Sequence, residues 1–127
     1  MSDPWVALMT VIVLAVVAFV VLRRLGGETR LRTATMHSLA ILADSQNAHH
    51  RRYGTWAAHI GRRPGRDTIA LVADSGAVIG IARADSLGWE GIGTHPGVTS
   101  GARTCFIFGG MPGDTRLTRP DEPKCFR

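Results

Sequence analysis

The sequence predicts an α+β protein, with an N-terminal transmembrane helix continuing into an amphipathic helix that packs on a small antiparallel sheet of about four strands. Three observations lead there. An uncharged apolar run fills Trp5 to Leu22, apolar side chains at three- and four-residue spacing follow it, and short apolar runs broken by Gly, Pro and Asp fill the remainder.

The anchor comes first. Eighteen residues at a rise of about 1.5 Å span roughly 27 Å, close to the hydrocarbon thickness of a bilayer. Thr10 is a lone hydroxyl in the run, Phe19 and Leu22 fill its last turn, and Arg23-Arg24 stop it. Asp3 or Ser2 can cap the helix, and Pro4 suits its first position because the missing N–H has no helical acceptor. Trp5 fits an interfacial anchor. A cleaved secretory signal is the alternative, but it wants positive charge before a shorter run, and here Ser2-Asp3-Pro4 precede and arginines follow. The expectation is a retained anchor over residues 1–25 and an extramembrane domain over 26–127.

Gly26-Gly27 offer a hinge, since each glycine costs about 1 kcal/mol in a helix relative to alanine. From Glu28 to about Arg52 a second helix is expected. Leu31, Ala34, Ser38 and Leu42 form its stripe, with Met36, Leu39, Ala43, Gln46 and His50 beside it. Tyr53-Gly54 ends it. Beyond Pro64-Gly65, Thr68–Asp74 and Ala77–Arg83 read as a hairpin turning at Asp74-Ser75-Gly76, and Trp89–His95 and Thr104–Gly109 as two further strands. The tail from Met111 is rich in Pro, Gly and charge and reads as a loop.

Fifteen Lys and Arg against ten Asp and Glu give a net charge of +5, with Lys124 the single lysine. That balance favours anionic lipid headgroups, acidic protein surfaces or nucleic acid. The two cysteines, Cys105 and Cys125, suggest a disulfide and an oxidising compartment, with two separate thiols as the alternative. Arg23, Arg24, Arg30 and Arg32 after the span argue for a cytoplasmic domain by the positive-inside rule, so the two signals conflict.

Particular segments resemble the type IV pilin and pseudopilin family. They are Leu42–Gln46 followed by Tyr53-Gly-Thr-Trp56, the stretch Gly88-Trp-Glu-Gly-Ile-Gly-Thr-His95, and Thr104–Gly109 with Cys125 near the end. The likeness covers roughly Leu31 to Cys125. It implies a long helix half in the membrane, a sheet on its second half, a disulfide-closed C-terminal loop and a periplasmic head on a bacterial inner membrane. The chain departs from the pattern in lacking a basic leader, a glycine at the cut and a glutamate early in the apolar run. A pilin head outside any filament is the expectation.

Reactive constellations are not legible. His49 and His50 are adjacent, hence on different helix faces, and read as solvated or capping; His95 reads as a turn residue. No Gly-x-Ser-x-Gly elbow or phosphate loop is present, and Gly91-Ile-Gly93 and Gly109-Gly110 read as turns and strand breaks. Arg51, Arg52, Arg62, Arg63 and Arg66 surround Tyr53 and Trp56, and with Trp89 these are candidate partner contacts. Such a cluster can also grip single-stranded nucleic acid by stacking and phosphate pairing, which is the weaker option beside a solvated rim or a contact to an acidic protein surface. The expectation is a non-enzymatic, single-pass accessory subunit without cofactor, metal or small-molecule substrate, whose partners are membrane lipids and subunits of a larger complex. By analogy, one setting is a bacterial photosynthetic reaction centre with its light-harvesting rings; a minor pilin or pseudopilin is the alternative.

Overall fold

A computed structural model of the chain describes residues 3–73, 76–113 and 116–127. One helix, α1 (Pro4–Tyr53), precedes β1 (His59–Gly61), β2 (Thr68–Ala70), β3 (Val78–Ala84), β4 (Gly88–Thr94), β5 (Thr104–Gly110) and β6 (Lys124–Phe126). The architecture is α+β, as expected.

The helix starts where its capping chemistry dictates. Asp3 accepts from the Trp5 N–H at 3.1 Å, and Pro4 occupies the first turn. Side chains from Trp5 to Leu22 are exposed, and this stretch is long and apolar enough to cross a membrane. At Gly26-Gly27, where a hinge is expected, α1 continues as helix. From Thr35 onward helical propensity is no longer the main support, because the same helix is packed on the sheet. It ends at Gly54, whose φ of 75° suits a residue without Cβ and whose N–H donates to the His50 carbonyl at 2.8 Å.

The second half of α1 packs on a four-stranded antiparallel sheet of order β3-β4-β5-β6. Leu39, Leu42, Trp89, Ile107 and Cys105 meet in the core, each fully or almost fully buried. Burying a Leu or Ile of this kind contributes about 1.5–3 kcal/mol as an upper estimate. Gly91 and Gly93 lie inside β4, not at breaks, and they let the helix come close: a Cβ on Gly91 would sit 2.8 Å from Leu42 Cδ2, and one on Gly93 would sit 2.8 Å from Thr35 Cγ2. Gly109 and Gly110 likewise belong to β5.

Two expectations about strand pairing are corrected. Thr68–Ala70 does not form a hairpin with Val78–Ala84; it pairs in parallel with β1, His59 opposite Thr68, as a separate two-stranded sheet. Asp74 and Ser75 of the expected turn lie outside the described residues. The fourth strand of the main sheet is β6, drawn from the tail read as loop, with Cys105 directly opposite Cys125 and the two joined by a disulfide. The tail also runs along the open edge of β5 beyond β6. Leu117 is buried there, the Asp121 N–H donates to the Phe108 carbonyl at 2.8 Å, and Arg116 stacks over Phe126 at 4.4 Å.

Candidate functional site

The end of the head farthest from the apolar run is built on one buried amide. Gln46 faces the core because it continues the Leu39–Leu42 stripe, and its side chain behaves as a strand edge would. It donates to the Ala57 carbonyl and accepts the Ala57 N–H, both at 2.8 Å, with both residues fully buried. This fixes the chain leaving the helix. Trp56 then stacks on His50 with ring centroids 4.0 Å apart. His49 donates from Nε2 to the Arg66 carbonyl at 2.9 Å, which ties the β1–β2 connection to the last turn of α1. His49 is therefore a buried fastener and not solvated, a correction to the sequence reading.

These fastenings gather five of the expected contact residues. Arg51 and Arg52 leave the helix end while Arg62, Arg63 and Arg66 come from the β1–β2 connection, and all five are exposed. Arg52 lies over the Tyr53 ring at 5.2 Å, and Tyr53 and Trp56 are half-buried. Among the described residues none of the five forms an ion pair; the nearby Asp67 faces His59 at 3.5 Å instead. Trp89 is different. It is completely buried in the core, so it is withdrawn as a contact residue.

A groove of about 350 Å³ beside Trp56 is lined by His50, Thr55, Asp85 and Ser86. Asp85 is committed elsewhere: it accepts from the Leu87 and Gly88 N–H groups at 2.8 and 3.1 Å and from Arg83 at 3.1 Å. The Leu87 bond, then the Gly88 bond and the Arg83 charge, hold its carboxyl below the usual range. Among the described residues no three His, Cys, Asp or Glu side chains converge as metal ligands would.

A second polar cluster joins the helix to the β4–β5 loop near the apolar run. Glu28 accepts from Thr99 Oγ1 at 2.9 Å and from Ser100 Oγ at 2.5 Å, and it pairs with Arg32 at 3.5 Å. Arg32 in turn donates from Nε to the Ala102 carbonyl at 2.9 Å and from Nη2 to the Ser100 carbonyl at 2.5 Å. Bonds from Ser100 and Thr99 lower the Glu28 pKa, with Arg32 adding to them. The sequence reading missed this cluster: the i,i+4 spacing of Glu28 and Arg32 is the one local signal for it, and the loop they hold lies about 70 residues away.

Thr10 donates to the Val6 carbonyl at 2.8 Å, so the single hydroxyl of the apolar run is satisfied within its own helix. Phe19 and Leu22 are exposed on the helix, as are Arg23 and Arg24 at its boundary. Comparison of the chain with family profiles, curated proteins and solved structures found no match.

Proposed function

We propose that this chain is a single-pass, non-enzymatic accessory subunit that scaffolds a larger bacterial inner-membrane complex. Trp5–Leu22 crosses the bilayer, and the distal arginine cluster docks on an acidic extramembrane surface of a partner. The observation that carries the reading is the cluster itself: five exposed arginines, none in an ion pair among the described residues, beside the buried Gln46 and His49 fastenings. Arg51 lies 29 residues beyond Leu22, about 44 Å along a continuous helix. A partner must therefore project well out of the membrane to meet it.

The Cys105–Cys125 bridge favours an oxidising compartment, hence a periplasmic head. The resemblance to pilins favours the second reading, a minor pilin or pseudopilin, through the long helix with a sheet on its second half. Affinity purification from native membranes tests the first reading. A stable set of membrane subunits should co-purify, with a photosynthetic reaction centre and its antenna the first candidate, and R62A/R63A should deplete them. Recovery of the chain alone, or equal recovery with the variant, counts against docking through this cluster. An intact mass showing removal of an N-terminal leader supports the pilin reading instead.

A further inference from the structure

The opposite end of the head carries its own charged surface, and helical rise fixes its height. Glu28 lies six residues beyond Leu22, about 9 Å along the axis, whereas headgroups add roughly 5–8 Å to each side of the hydrocarbon. Glu28 and Arg32 hold Thr99, Ser100 and Ala102 at this level. The next residue, Arg103, is exposed, and its backbone N–H is fixed by the Phe126 carbonyl at 3.1 Å. Arg30 is exposed on the helix, and helical side chains lean toward the N-terminus, here toward the bilayer. Arg23 and Arg24 stand at the boundary itself. The guanidinium groups of Arg23, Arg24 and Arg30 thus come within about one Debye length, ~8 Å, of the headgroup layer, and Arg103 leaves the loop that Glu28 and Arg32 hold beside them.

Among the described residues none of these four arginines forms an ion pair. Glu28 is committed to Arg32, Thr99 and Ser100. Asp85 and Glu90 sit toward the far end of the sheet, where Gly88 pairs with Gly110, and Asp121 bonds Asn47 high on the helix. Asp3 lies at the other end of the apolar run. His95, the nearest imidazole, uses Nδ1 to accept the Gly97 N–H at 2.9 Å.

We propose that Arg23, Arg24, Arg30 and Arg103 bind the phosphates of anionic phospholipids, so that the head stands on the membrane surface through its Val98–Arg103 loop. The inference rests on the membrane-spanning reading and not on partner docking. It assigns a lipid contact to a residue about 80 positions away from the anchor.

The test uses the purified full chain in nanodiscs of phosphatidylcholine alone or with phosphatidylglycerol added. Amides of residues 98–103 should take up deuterium several-fold more slowly in the anionic discs, and high salt or R103Q should remove the difference. Phosphatidylglycerol retained after mild extraction should fall about fivefold for each arginine lost in R30Q and R30Q/R103Q. R62Q/R63Q, at the far end, should leave both readouts unchanged. Equal uptake in the two discs, or wild-type retention by R30Q/R103Q, overturns the lipid contact while leaving the span intact. A chain that enters neither disc overturns both.

Discussion

Replacing Gln46 by leucine keeps nearly the same volume in the core but strips the Ala57 N–H and C=O of their partners. Both groups are buried, and an orphaned backbone group costs about 1–3 kcal/mol, so the pair costs roughly 2–6 kcal/mol. Burying a leucine in place of the amide returns about 2 kcal/mol. The net loss is then centred on about 2 kcal/mol, and at about 4–8 °C per kcal/mol for a domain of this size the melting temperature should drop by roughly 8–16 °C. Near-UV circular dichroism of the full chain in detergent reads this through the indoles of Trp56 and Trp89, which share the affected core. Proteolysis in the 54–58 segment should rise in parallel, because the amide is what pins that segment to α1. A leucine variant that melts within about 4 °C of wild type refutes the assignment, since that is less than about 1 kcal/mol. Q46E gives an independent sign: its carboxylate can accept the Ala57 N–H but faces the carbonyl without a proton to donate. It should therefore be more damaging at neutral pH than in acid.

Three other outcomes follow from the geometry. Reducing the Cys105–Cys125 bridge, which closes a separation of 20 residues, should lower unfolding free energy by about 3 kcal/mol, read as a shift in denaturant midpoint with and without reductant; an unchanged midpoint would show that β6 is held by pairing alone. The Glu28 carboxyl is lowered from its ordinary value of 4.5, so its stabilisation is complete above that pH and is lost as pH falls through the lowered value; amides 98–103 should lose exchange protection in acid, and E28Q should abolish that pH dependence. G91V would drive a branched side chain into Leu42 and Ile107, where even a Cβ sits 2.8 and 3.0 Å from their methyl groups, and should cost about 1–3 kcal/mol in chemical denaturation.

The helix and the core of the sheet were legible because their patterns are local. Leu39, Leu42, Ala43 and Gln46 recur at helical spacing, and all four are buried as that spacing requires. Strands β4 and β5 were bounded to within a residue or so by the glycines and His95-Pro96. What escaped was set by contacts distant in sequence. The apolar stretch at Thr68 signals a strand but not its partner, and β1 offers only Ile60 as an apolar residue, so a parallel pair there leaves little trace. Three-residue β6 follows Pro123 inside a charged tail, and its place is given by the strand it meets. Trp89 was misread because an aromatic near Glu90 looks exposable, while the room that swallows it comes from glycines and α1. The arginine cluster was visible as composition; the buried amide and imidazole that hold its two halves together were not.

The unbroken run of α1 through Gly26-Gly27 gives the molecule the mechanics of a lever. In the membrane-spanning reading proposed above, the apolar stretch and the stretch beneath the sheet belong to one continuous helix, so a tilt of the first carries the second with it. With an arm of about 44 Å, a change of roughly 10° in the inclination of the buried stretch sweeps the far tip through about 8 Å. A load applied to that tip is delivered, by the same arm, as a torque on the apolar stretch.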